Sequence, residues 1–186
     1  MIEKSIRRVT SVIDRTSEKV GNVICYLIPL IGLILVWEVF SRYVLGAPTN
    51  WGHEVSQHTF GITFILGGGY ALWLGAHVNV DIILRRFSPR TQAIVNSITF
   101  LLFALFFIVL IESSIPLAVG SWEKMERTMS PWGAPYYPLK TAVPIGALLI
   151  LLQGIAKFLR DAHHAITGRA ITITHHAITK KEVAIG

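Results

Sequence analysis

Residues 60–81 read FGITFILGGGYALWLGAHVNVD, and the reading of the three glycines in the middle decides what kind of protein this is. A phosphate-cradling loop needs a strand before it, a Lys and a Ser or Thr inside it, and a soluble helix after it. Here FGITFIL precedes Gly67 and YALWL follows Gly69, both apolar. The glycines therefore belong to a membrane helix. Gly67, Ala71 and Gly75 recur every four residues, and Gly61, Gly68 and Gly75 every seven, with Gly69 beside them. Small residues at those spacings let another helix approach closely, which is how helices associate where hydrophobicity provides no drive between them.

The rest of the chain agrees with a bilayer environment. It has 186 residues, 52% hydrophobic and 15% charged, with a mean hydropathy of +0.55; that is too apolar for a soluble domain. Four apolar runs, at about 20–44, 55–75, 94–111 and 136–159, are each near the ~20 residues that cross a bilayer as helix. The expected architecture is an all-α membrane protein with four transmembrane helices. An amphipathic interfacial leader spans 1–19, the four-helix domain 20–161, and a polar, disordered cytoplasmic tail 162–186. In the leader, Ile2, Ile6, Val9, Ile13 and Val20 form the apolar stripe of a helix lying on the inner membrane surface. The first apolar run is too long for a signal-peptide core and is retained as an anchor. After helix three, residues 116–129 are expected to form a short interfacial helix bearing Trp122, ended by Pro131, Gly133 and Pro135.

A net charge of +6 and a pI near 9.7 raise the question of nucleic acid. The basic residues answer it by position: Lys4, Arg7, Arg8, Arg15 and Lys19 precede helix one, Arg85, Arg86 and Arg90 separate helices two and three, and Lys157 and Arg160 close helix four. By the positive-inside rule these segments, and both termini, are cytoplasmic. No nucleic-acid partner is implied; membrane lipids are.

No nucleophile stands at a motif spacing from a base, and no acidic cluster has metal-ligand spacing, so neither catalytic residues nor a metal site are assigned. The chain is not read as an enzyme. Cys25 is a lone thiol inside helix one. Seven histidines make a haem-bearing redox subunit an alternative, with a free-standing membrane adaptor or assembly protein as a second. Paired histidines at matching depth on two helices would be needed for haem. His53 and His58 instead share the outer end of helix two, His77 its inner end, and the others fall in the tail as a duplicated HHAIT, at 163–167 and 175–179. No helix pair has the broken, polar character of a transporter core.

Near the outer end of helix one, Glu38 and Arg42 lie one turn apart, where an unpaired charge in hydrocarbon costs about 2.5–3.5 kcal/mol. They are expected to pair or to face protein, with Tyr43 and Trp51 at the aromatic interface. Either Arg42 stays in that local pair or it reaches a partner chain or lipid head group.

The order Trp37-Glu38, Arg42-Tyr43, Trp51, Glu54, the glycine-rich helix and then Gly75-x-His77-Val78-x-Val80-Asp81 resembles the small membrane subunit, the Q or small-permease component, of tripartite ATP-independent periplasmic (TRAP) transporters. LLILLQGIAKFLRD, within the last helix, resembles the end of the same family. The resemblance implies a sodium-coupled importer of organic acids in a bacterial inner membrane. In such a system a periplasmic binding protein delivers substrate, a large elevator-type membrane subunit moves it, and the small subunit supports the large one without a cofactor. On that resemblance Gly67, Gly68, Ala71 and Gly75 make close helix contacts, and Arg42, Trp51 and Glu54 lie at the outer surface where partners are touched. His77 and Asp81 mark where helix two leaves the membrane, tied to Arg85, Arg86 or a neighbouring subunit, with a proton relay as the alternative.

Overall fold

The computed structural model describes residues 2–75 and 89–167. Four helices account for most of them: α1 (Ile2–Tyr43), α2 (Gly52–Trp73), α3 (Pro89–Glu123) and α4 (Tyr137–Thr167). His77, Asp81, Arg85, Arg86 and the second HHAIT copy lie outside the described residues.

Helix α4 is the centre of the arrangement, packing against α3, α2 and α1, while α1 also packs along α2. Composition explains its place. Its buried positions are mostly small (Ala142, Gly146, Ala147, Gly154, Ala156), so neighbouring backbones approach it closely. Of its most apolar window 39% is buried within the chain, against 11% for α1 and 6% for α3. The last two therefore present large apolar faces outward, among them Leu33, Val36, Leu101 and Phe106.

Helix α1 runs unbroken for 42 residues, about 63 Å, and this corrects the expectation of a surface leader that turns into the membrane near residue 20. The reason lies in the packing seam. Thr10, Ser17, Ile24, Ile31 and Glu38 are buried at strict seven-residue spacing, the period of helices that wrap in a left-handed seam. That seam crosses the boundary between polar leader and apolar run without interruption. It also puts Thr10 and Ser17 inward and leaves the leader's Val9 and Val12 exposed.

Two further boundaries differ from expectation. Helix α3 continues to Glu123 through Pro116, so there is no separate interfacial helix at 116–129. One proline removes one backbone donor, and the surrounding turns retain theirs. Helix α4 runs on to Thr167 and takes the first HHAIT copy into its last turns, so residues 162–167 are helix rather than tail.

Three helices, over Glu3–Tyr43, Val95–Glu123 and Tyr137–His163, are long and apolar enough to cross a bilayer. Helix α2 falls short on apolarity because three glycines and the polar turns at its start dilute it. Its 22 residues nevertheless extend about 33 Å, the thickness of the hydrocarbon core.

Candidate functional site

The residues singled out by sequence fall into a small-residue interface in the middle of the molecule and polar fastenings at its ends. At the interface, the glycines of α2 face α4. A methyl group on Gly68 would stand 2.6 Å from Ile150 Cδ1, on Gly61 2.9 Å from Leu139 Cδ1, and on Gly69 3.2 Å from Leu149 Cβ. The reverse contact is as tight: a methyl on Gly146 of α4 would meet Ile65 at 2.5 Å from Cγ2 and 2.7 Å from its carbonyl oxygen. On the other side of α2, the Tyr70 ring occupies the space a side chain at Gly21 of α1 would need.

Gly67 and Gly75 depart from the spacing argument. Among the described residues, neither has an atom within 4 Å of an added methyl. Gly75 instead has φ +70 and closes the end of α2, its N–H donating to the Leu72 carbonyl at 3.1 Å. That is a left-handed helix terminus, which glycine adopts without steric cost. Ala71 is half-buried.

At the C-terminal end of α1, the buried Glu38 carboxylate gathers three elements. Its Oε1 lies 2.5 Å from Arg42 Nη2, while Oε2 accepts the Thr49 N–H at 3.2 Å and the Thr49 hydroxyl. Thr49 Oγ1 in turn accepts the Gly52 N–H at 3.2 Å, capping the start of α2, where the Trp51 side chain makes no capping bond. One carboxylate thus holds the end of α1, the connection after it and the start of α2. The Arg42 side chain remains half exposed and Tyr43 is 79% exposed.

Glu54 does the same for the connection between α3 and α4. Its Oε2 accepts the Thr128 hydroxyl at 3.0 Å and the Ala134 N–H at 3.4 Å. Between these points the chain folds back on itself: Thr128 N–H donates to the Ala134 carbonyl at 2.8 Å and Tyr136 N–H to the Glu126 carbonyl at 2.9 Å. Ser130 Oγ accepts the Gly133 N–H at 3.0 Å inside the turn. His58, one turn after Glu54, sets its ring edge-on to Tyr136 with centroids 5.3 Å apart, while His53 is exposed.

The base of this hairpin is closed by Lys140 Nζ, 2.5 Å from Glu126 Oε2. The hydrogen bond from that ammonium holds the Glu126 carboxyl below its ordinary value of 4.5. A carboxylate with a depressed folded pKa stabilises the fold above its unfolded pKa, and the contribution is lost as pH falls through the folded value. The hairpin is therefore expected to loosen below about pH 4.5, read as faster amide exchange at Thr128 and Tyr136. Glu126→Gln is expected to exchange at the loosened rate already at neutral pH and to show a flat profile there.

The opposite end of the molecule carries a network that sequence reasoning did not identify. Arg160 Nη1 lies 2.8 Å from Asp14 Oδ2, Gln153 Nε2 donates to Asp14 Oδ1 at 2.9 Å, and Ser17 Oγ donates to Gln153 Oε1 at 3.1 Å. Both ion-pair side chains are largely buried, 9% and 14% exposed for Arg160 and Asp14, and Gln153 is 1% exposed. The available signals were a lone amide within the apolar LLILLQGIA of residues 148–156 and the seven-residue column through Thr10 and Ser17.

The arrangement is one of fastening. Each of these clusters joins helices or connections of this chain to one another, and along α1 the two at Asp14 and Glu38 stand about 36 Å apart. Compared with known families, residues 31–164 match the model described as "Tripartite ATP-independent periplasmic transporters, DctQ component". No curated protein matches the chain. The matched part begins in the last third of α1 and takes in α2, α3 and nearly all of α4, including the contact between the α2 glycines and α4 and the fastenings at Glu38 and Glu54.

Proposed function

The chain belongs to the DctQ component family of TRAP transporters, and from that premise we propose that it is the small scaffold subunit of a sodium-coupled, binding-protein-dependent importer of an organic acid. In this reading it sits in a bacterial inner membrane with four spans and both termini in the cytoplasm. A large elevator-type membrane subunit, a separate chain, packs on it, and a periplasmic binding protein approaches from the side of Glu38 and Glu54.

The observation that supports a scaffold role is where the polar side chains go. Glu38, Glu54 and the Asp14–Arg160 pair each use their hydrogen-bonding capacity on this chain's own helix ends and connections. The middle of the molecule is occupied by glycine and alanine against Leu149, Ile150 and Ile65. Such a body holds its shape while a partner moves beside it. The outward apolar faces of α1 and α3 offer the partner its surface.

The test is uptake. Cells lacking the chain are expected to lose accumulation of the labelled organic acid that the cognate binding protein carries. Uptake should return when the chain is resupplied together with the large subunit, and should require a sodium gradient. Full uptake in the absence of the chain would contradict the proposal.

A further inference from the structure

We propose that the exposed face of α1 around Arg15 and Lys19 binds an anionic phospholipid of the inner leaflet, lying lengthwise along the helix. This rests on the membrane reading of α1 and not on the transport role.

The face is defined by spacing. Arg15, Lys19, Asn22 and Tyr26 follow one another at four, three and four residues, so they share one side of the helix, and Leu30 and Leu33 continue it. All six are exposed in the structure, Tyr26 at 79% and Leu33 at 68%. The face lies away from the seam through Thr10, Ser17 and Ile24 that packs on the rest of the chain.

Charge identifies the occupant. Of the acids in the inner half of α1, Glu3 is held by Arg7 and Asp14 by Arg160, and the half-buried Glu18 lies beside the face without forming an ion pair among the described residues. Among the described residues neither Arg15 nor Lys19 has an acidic oxygen within ion-pair distance. Two cations on one face are left for an external anion, with Arg8 seven residues further out to add attraction.

Depth then selects a lipid over a soluble anion. Residues 20–37 contain no charged side chain and extend about 27 Å, close to the ~30 Å hydrocarbon core. Lys19 therefore stands at the level of the phosphates. Asn22, one turn deeper, reaches the ester region, and Tyr26 and Leu33 lie beside the acyl chains. From Lys19 to Leu33 is about 21 Å, the length of one leaflet.

The experiment uses the full chain, purified in mild detergent and exchanged against vesicles of phosphatidylcholine with and without phosphatidylglycerol. Retained lipid is read by native mass spectrometry. The chain is expected to keep phosphatidylglycerol over phosphatidylcholine. Arg15→Gln with Lys19→Gln should lower that retention about thirtyfold, roughly fivefold for each cation. Helical content should be unchanged, and Lys124→Gln, at the opposite end, should have no effect. Inorganic phosphate should not displace the lipid. Equal retention by the double variant would overturn the proposal, as would displacement by phosphate. So would loss of a co-purifying membrane protein with lipid retention intact, which would assign the face to that protein.

Discussion

Gly146→Leu is expected to destabilise the chain by about 3 kcal/mol or more, the upper part of the range for overpacking a filled interface. The magnitude follows from what the new side chain meets. At Gly68 the nearest atoms belong to the flexible end of Ile150, which can turn aside. At Gly146 they include the Ile65 carbonyl oxygen and carbon, 2.7 and 3.0 Å from the added carbon, so α2 and α4 must separate as backbones. Gly68→Leu should therefore cost less than Gly146→Leu. Gly67→Leu, which meets open space among the described residues, should change the stability of the isolated protein by no more than the ~0.5 kcal/mol of an ordinary surface substitution. The three variants are ranked by thermal unfolding in one detergent. Equal midpoints for Gly67→Leu and Gly146→Leu would remove the packing explanation for the glycine face.

The second large effect is at the Asp14–Arg160 pair. Asp14→Leu leaves the Arg160 guanidinium buried without its counter-charge and takes the acceptor from Gln153. Breaking a buried pair from one side costs about 3–5 kcal/mol, and partial exposure of this pair places it near the lower figure. Arg160→Leu should cost a similar amount by stranding the carboxylate. The double variant, which removes both charges and fills the space with apolar atoms, is expected to recover most of the loss. A double variant as unstable as the sum of the singles would mean that the two groups do not interact.

These two effects divide what the sequence made legible from what it did not. That residues 60–73 form a helix with a small-residue face could be read from FGITFIL and YALWL around the glycines, because apolar flanks leave a glycine run few other uses. Which helix fills that face could not: Gly67 and Gly68 are adjacent, and only the placement of α4 decides that Gly68 is covered and Gly67 open. Gly75 shows the limit of spacing from another direction, since it fits both small-residue periods and in the structure terminates α2 with φ +70.

The leader shows a local pattern overridden by tertiary packing. Ile2, Ile6, Val9, Ile13 and Val20 make a convincing apolar stripe, yet the face turned inward is Thr10, Asp14 and Ser17, because α4 offers Gln153 and Arg160 as partners. A polar residue tells its neighbours only once its partner, here some 140 positions away, has been placed. Glu38 and Arg42 were readable as a pair because they are one helical turn apart. The additional bond from Glu38 to Thr49, which turns the pair into a fastening for α2, depends on how the connection folds back.

The scaffold role is tested most directly by isolating the tagged chain from its native membrane in mild detergent and identifying what comes with it. A much larger, multi-span membrane protein in a fixed ratio to this chain is the predicted result. A self-sufficient complex of this chain alone, active in transport after reconstitution, would contradict it.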